Sequence, residues 1–358
     1  MSFVKILAIV CLLSMASFAP VSYSVSPTYP TPIKHVVIIL LENQEYSSVI
    51  GSSNAPYENA LAKNYSLAAQ YYAVGHPSLP NYLAIVGGST FGVSSDCLPD
   101  ACTQNSTNIT DLLVQHGYSW KEYAESMHEN CSEVNGPDGL YAPKHVPFVY
   151  YSDVTGNNGT GNTSSYCASH VVPYSQFAND LQNGNLPNYA FITPNLCDDG
   201  HDCSLSVADR WLSSNVPQII GSSSFSSSVI FIVYDEGTTD SGFGSFDGGR
   251  VVCLVVSPFA KEGYASQNEY SHYSLLATVE SIFGLGNLGR NDSSSAIMQD
   301  MFSIALPSNG VSQSTVSTFS RQLTNTRQNE YILGSIASIA MVTILAYAVT
   351  KLRKTKND

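Results

Sequence analysis

Two uninterrupted apolar runs constrain the fold of this chain more than anything else in it. His35-Val36-Val37-Ile38-Ile39-Leu40-Leu41 stops at Glu42-Asn43, and Val229-Ile230-Phe231-Ile232-Val233-Tyr234 stops at Asp235-Glu236. Runs without polar alternation read as strands buried on both faces, as in the middle of a parallel sheet. Parallel neighbours need crossover connections, and helical patterns stand between the runs. Further strands are expected at Tyr118–Tyr123, Tyr189–Thr193 and Val251–Ser257. Helices are expected at Ala55–Ala69, Asp111–His116, Ser175–Leu181 and Ser204–Asn215. A late helix is capped by Ser271, carries Leu275, Leu276, Val279, Ile282 and Phe283 inward, and stops at Gly284. The alternation predicts one α/β domain with a parallel sheet. Asn135–Thr163, rich in Gly, Asn and Pro, reads as a long surface excursion.

The ends read as targeting segments. Lys5, the apolar run Ile6–Leu13 and Ser17-Phe18-Ala19 form a signal-peptide pattern over residues 1–19. The domain then covers 20–306, and a Ser/Thr/Asn-rich stalk covers 307–330. Residues 331–350 are a mostly apolar, uncharged run long enough to span a bilayer as a transmembrane helix. Lys351, Arg353, Lys354 and Lys356 follow in the tail 351–358, which places that end in the cytoplasm and the body at the cell surface. Between the two segments the chain carries 10 Lys and Arg against 27 Asp and Glu. That excess of acid excludes a nucleic-acid partner, because no basic stripe exists to neutralise phosphates. It also suits an acidic medium.

Outside the cell, cysteines are expected in disulfides rather than in metal sites. Cys97/Cys102, Cys197/Cys203 and Cys131/Cys167 are the expected pairs, with Cys253 the odd buried thiol. Glycosylation sequons stand at Asn64, Asn105, Asn108, Asn130, Asn158, Asn162 and Asn291.

The chemistry centres on Gly75-His76-Pro77-Ser78-Leu79-Pro80-Asn81-Tyr82. A serine at a helix start sits where unpaired N–H groups and the helix dipole favour an anion. Asn81 follows on the first turn, close enough to aim its amide at whatever Ser78 holds. The plain alternative is an N-cap serine. Glu42-Asn43 and Asp235-Glu236 shift the balance, because ligands of open α/β sheets bind beyond the carboxyl ends of the strands. Their oxygens with the Ser78 hydroxyl form a hard site suited to a divalent cation such as Mg, Mn or Ca. A metal-bound serine loses its proton more readily and becomes a nucleophile. Asp199 and His201, in a loop closed by Cys197 and Cys203, read either as ligands of a second metal or as phosphate-binding and proton-donating groups. His76 and His272 are further candidates, while His116, His128, His145 and His170 read as structural.

Taken together, L-E-N-Q with Tyr46, Ile50 and Gly51, G-H-P-S-L-P-N-Y, P-N-L-C-D-D-G-H-D-C-S, F-I-V-Y-D-E-G and Y-S-H-Y-S-L-L-A-T-V-E resemble the phosphoesterase family over residues 34–290. That family holds acid phosphatases and bacterial phospholipases C of the alkaline phosphatase superfamily. The resemblance implies a doubly wound, mostly parallel core and hydrolysis through a phosphorylated serine. It implies Glu42, Asn43, Ser78, Asp235 and Glu236 as metal ligands, with Zn a further possible ion, and Ser78 as nucleophile. Asn81, His76, His201, His272 and Asp199 are then phosphate-binding, with His201 also donating a proton. Some relatives carry two aspartates where this chain has Asp235-Glu236. The Asp-His pattern of two-zinc relatives is only partly matched around Asp199, which favours one metal. The long extra regions of the phospholipases C are absent from the sequence. The expectation is an exported, membrane-anchored, metal-dependent acid phosphatase acting on phosphate monoesters. The alternatives are a phosphodiesterase or phospholipase C on the same site, or a non-catalytic cell-surface glycoprotein.

Overall fold

The computed structural model describes residues 29–156, 164–240, 242 and 246–307. The expected signal peptide, the stalk beyond Pro307, the membrane span at 331–350, the basic tail and the sequons at Asn158 and Asn162 lie outside the described residues. Among those described, no helix is long and apolar enough to cross a membrane.

Both apolar runs are strands: β1 spans His35–Leu41 and β6 spans Ser228–Tyr234. Every residue of β6 is buried, so both faces of the sheet are covered there. The other strands are β2 (Ser66–Tyr72), β3 (Trp120–Ala124), β4 (Val171–Pro173), β5 (Tyr189–Thr193), β7 (Cys253–Val256) and β8 (Tyr264–Ser271). They form one sheet in the order β4-β3-β5-β1-β6-β7-β2-β8. β1 lies parallel to both β5 and β6, with Leu41 opposite Tyr234. Only β7 runs against its neighbours. The sheet is therefore mostly parallel, and its two central strands end side by side.

Six helices matter for the site and the core. They are α1 (Pro56–Asn64), α2 (Ser78–Gly87), α3 (Ile109–Gln115), α4 (Ser175–Gln182), α5 (Leu205–Ile220) and α6 (His272–Phe283). α6 packs on α2, and α1 on α5. Ser271 closes a capping box with Ser274, and Gly284 ends α6 in the left-handed conformation that glycine adopts without strain. The three expected disulfides form, and Cys253 is a buried free thiol.

The helix expected over Ala55–Ala69 is corrected. It ends at Asn64, and Ser66–Tyr72 is a strand between β7 and β8. Alanines favour a helix locally, but ladder bonds and burial on the sheet override that preference. β8 escaped prediction because its sequence is polar, as an edge strand can be. The surface excursion over Asn135–Thr163 is also corrected in part. Tyr141, Val146, Phe148, Val149, Tyr150 and Tyr151 are all buried in the main core, so the segment re-enters it. The Asn108 sequon presents no surface amide, since Asn108 is buried and caps α3 in a box with Asp111.

Candidate active site

The carboxyl ends of β1 and β6 bring Glu42 and Asp235 next to each other, one step beyond the paired Leu41 and Tyr234. Asn43 adopts φ 56°, a conformation asparagine tolerates, and its N–H donates to Asp235 Oδ1 at 3.1 Å. Its side-chain amide donates to Glu42 Oε2 at 3.2 Å. β2 delivers the loop before α2, whose first residue is Ser78. The N-cap is Pro77, and the Ser78 hydroxyl caps nothing. It faces Glu42 Oε2 at 3.0 Å and Glu236 Oε1 at 3.1 Å instead. One turn later Tyr82 donates to Glu42 Oε1 at 2.6 Å.

Glu236 is in turn held by His76 Nδ1, whose other nitrogen meets the Thr239 carbonyl at 3.3 Å. Burial works against a protonated His76, but the hydrogen bond and charge of Glu236 raise its pKa overall. Ser78, Glu236 and His76 thus form a chain along which a proton can move.

Asn81 departs from expectation. Its Oδ1 accepts from the N–H groups of Val74 and Gly75, and its amide donates to the carbonyls of Gly75 and Pro77. It is fully buried and fixes the loop that carries Ser78, so nothing of it remains for a phosphoryl oxygen. His272 departs likewise. One ring nitrogen meets the Asp235 carbonyl at 2.5 Å and the other meets Tyr71 OH at 3.1 Å. Burial lowers its pKa to about 4. Both ring nitrogens are engaged, and the ring holds the end of β6.

Asp199 is buried under the loop closed by Cys197–Cys203, and the N–H of His201 donates to its Oδ1 at 2.8 Å. Between Asp199 and Glu42 stands His145, which the sequence reading set aside as structural. Its Nε2 lies 3.1 Å from Glu42 Oε1 and its Nδ1 3.2 Å from Asp199 Oδ2. Its ring stacks on Tyr82 at 5.1 Å and lies 5.5 Å from that of His201. Burial, then the charges of Lys144 and His201, hold the His145 pKa well below the usual histidine range. A signal for it existed in the apolar Val146–Tyr151 that follows it, which marks buried chain rather than loop. Lys144 was missed too: it donates to Asp96 at 2.9 Å and to His201 Nε2 at 3.1 Å. Asp96 also receives the Leu79 N–H at 3.1 Å, tying this side of the site to the start of α2. No sequence pattern pointed to Asp96.

The donor set fits a bound cation. Burial, then the neighbouring acids, raise the pKa of Glu42 and Asp235 well above the carboxylate range. Asp199 is pushed up to about 7, chiefly by burial. Several buried carboxylates cannot all ionise side by side without a compensating charge. Among the described residues, His145 Nε2, Asp199 Oδ2 and Asp235 Oδ2 are buried without a hydrogen bond. Ligand atoms of Glu42, His145 and His201 lie within 4.8 Å of one another, a candidate metal triad. It shares Glu42 with the expected set of Glu42, Asn43, Ser78, Asp235 and Glu236 and adds imidazoles to it.

A family model described as the Phosphoesterase family matches residues 52–286. A probable acid phosphatase of Kluyveromyces lactis is 32% identical over 80% of this chain and 66% of its own length. This chain therefore spans slightly under two thirds of that relative. The phosphatidylinositol-3-phosphatase of Mycobacterium tuberculosis is 31% identical over 71% of this chain and 78% of its own. The fold is shared with a crystal structure of an alkaline phosphatase superfamily protein from Vibrio parahaemolyticus, at TM-score 0.51 and 15% identity over 84% of this chain and 81% of the other. The chain belongs to the phosphoesterase family.

Proposed function

We propose that this protein is an exported, metal-dependent acid phosphatase that hydrolyses phosphate monoesters through Ser78. The observation that carries the reading is the Ser78 hydroxyl, at the first position of α2 and within 3.1 Å of the carboxylates of both Glu42 and Glu236. Glu42 with Asn43, Ser78 and Asp235 on one side, and His145 on the other, would hold a divalent cation, which when bound supplies Lewis-acid stabilisation of the phosphoryl oxygens, while Glu236 and His201 are left for proton transfer. The mixture of carboxylate and imidazole donors suits Zn or Mn better than Ca or Mg.

Ser78 Oγ attacks phosphorus as its proton passes to Glu236, whose far oxygen is held by His76. The bond to the leaving alcohol breaks in line, and His201 protonates that alcohol. In the resting arrangement Lys144 donates to His201 Nε2, so His201 acts as the acid only after Lys144 turns toward the phosphoryl group and Nε2 takes up a proton from solvent. Water then releases phosphate from Ser78. Asn81 and His272 position the nucleophile loop and the end of β6.

Export is supported by the three disulfides, which persist in oxidising compartments. Residues 331–350 are proposed to anchor the chain; the full chain should then sediment with membranes and resist extraction at high salt. The decisive assay compares a monoester and a diester of one chromogenic alcohol, with and without exhaustive chelation. Faster monoester turnover that is lost on chelation and restored by Zn or Mn supports the reading. A preference for the diester makes the protein a phosphodiesterase, and unchanged rates after chelation remove the metal.

A further inference from the structure

Beside the phosphoryl site lies an open cavity of about 420 Å³, lined by Asp96, Leu98, Tyr141, Pro143, Lys144 and Leu196 among others. This is within the size range of cavities that take small organic ligands. Its two ends differ in chemistry. At one end Asp96 and Lys144 are joined at 2.9 Å, and each is tied to the reaction centre. Asp96 accepts the N–H of Leu79, the residue after the nucleophile, and Lys144 contacts His201 Nε2. Away from that pair the walls are mostly carbon, with Asn135 the polar side chain among them. Leu98 is 43% exposed, an unusual position for a leucine in this molecule. The Tyr141 hydroxyl is engaged with the Ser132 carbonyl at 2.6 Å, so the residue offers its ring to the cavity.

The walls are also held in place. Leu98 belongs to the loop closed by Cys97–Cys102, and the Tyr150 hydroxyl donates to the Cys97 carbonyl at 2.6 Å. Leu196 precedes the loop closed by Cys197–Cys203, and its N–H donates to the Leu140 carbonyl at 2.9 Å. A preorganised apolar wall takes up an apolar group without first paying to order itself. The group that protonates a leaving alcohol must stand next to that alcohol, and His201 is in contact with Lys144, which lines this cavity.

The geometry points to a leaving-group subsite: the cavity takes the uncharged, apolar part of an alkyl or aryl alcohol, so that monoesters of hydrophobic alcohols are the favoured substrates. This rests on the phosphomonoesterase reading of Ser78. The subsite discriminates through carbon contacts made beyond the phosphoryl group, and the ion pair at its inner end faces the phosphate.

The test uses ethyl, butyl and hexyl phosphate with the full-length metal-loaded protein, because chain length changes contact while scarcely changing leaving-group acidity. Each methylene entering the cavity should raise kcat/KM by about threefold, so hexyl phosphate should exceed ethyl phosphate by roughly 10²-fold. Leu98→Asp should flatten that slope and leave ethyl phosphate within about twofold of wild type. Since Leu98 is already partly in solvent, circular dichroism of this variant should match wild type. Leu196→Asn provides a second wall with the same expected flattening. Robust turnover with no chain-length slope, or a slope that survives both substitutions, overturns the subsite and leaves the phosphatase reading standing. Failure to hydrolyse any member of the series overturns both.

Discussion

Two groups of acids in this molecule have met opposite fates. Beside the edge strand β8, Asp300, in the short helix Gln299–Met301, accepts hydrogen bonds from the hydroxyls of Tyr264 at 2.9 Å, Ser266 at 2.5 Å and Tyr270 at 2.5 Å, and from the Asn268 amide at 2.8 Å. Partial burial pushes its pKa up, but the hydrogen bonds from Ser266, Tyr270 and Tyr264 outweigh this and lower it. At the ends of β1, β5 and β6, Glu42, Asp199 and Asp235 are more deeply buried, and their pKa values are raised. Asp300 is a carboxylate satisfied locally, and it ties the polar edge strand β8 to the short helix Gln299–Met301. Of the rim acids, Asp199 and Asp235 each leave one oxygen without a donor, while Glu42 accepts from Asn43, Ser78 and Tyr82. A missing donor does not by itself mark the rim, since Glu58, Glu122 and Glu280 also bury oxygens without one; the rim is marked by the convergence of its acids on Ser78 and His145.

Substitutions can break or sharpen this contrast. Ser78→Ala should lower kcat by a factor on the order of 10³ or more while leaving the melting temperature within a few degrees of wild type; retained turnover in a steady-state assay would falsify the nucleophile. His145→Gln should cut both bound metal, read by elemental analysis, and kcat/KM by about 10- to 100-fold, the range typical of groups that support a metal site. Full metal content in that variant would return His145 to a purely structural role. On the other side of the comparison, Asp300→Ala strips four donors of their acceptor. It should cost about 2–3 kcal/mol in denaturant unfolding with kcat unchanged; a fall in kcat would mean that the edge strand reaches the site.

The smallest effect expected is at Glu58, a buried acid away from the rim. Burial raises its pKa to about 8, and Tyr234 donates to it at 3.0 Å. The folded chain therefore keeps a proton there that the unfolded chain releases near the ordinary carboxylate value. Stability is fully present below that value and is lost as the pH climbs toward about 8. Glu58→Gln, which needs no proton, should melt several degrees higher than wild type at pH 8 and alongside it at pH 4. Equal melting curves at both values would show that Glu58 is ionised in the fold at little cost. Glu280, pushed up to about 9 chiefly by burial, works in the same direction. The excess of acid in the sequence thus corresponds to a fold whose buried carboxyls prefer acidic surroundings.

Much of this was legible in the chain. The β1 and β6 runs are apolar throughout because both faces are covered, so strand ends, and with them Glu42 and Asp235, could be read directly. Disulfide pairing followed from short loops at Cys97/Cys102 and Cys197/Cys203. What could not be read was direction. Asn81 has the right spacing from Ser78, yet its amide turns back to the loop, because four backbone groups at residues 74, 75 and 77 offer it partners. His272 sits at a helix start beside the site, yet both ring nitrogens face inward. His145 lies 21 residues beyond the end of β3 in a segment rich in Gly and Pro, and only the re-entry of Phe148–Tyr151 into the core brings it to Glu42. Side-chain orientation at a fixed backbone position is a tertiary property, and a motif does not carry it.

Ser78 and Tyr82 stand one turn apart on α2, and each grips a different oxygen of the same glutamate, at 3.0 and 2.6 Å. Two grips on one planar group act like a key in a keyway: the helix cannot roll or creep along its axis without releasing both. The aim of the nucleophile is therefore indexed to the tip of a central strand of the sheet. A change that loosens Tyr82 alone would leave the hydroxyl chemically intact but free to point elsewhere.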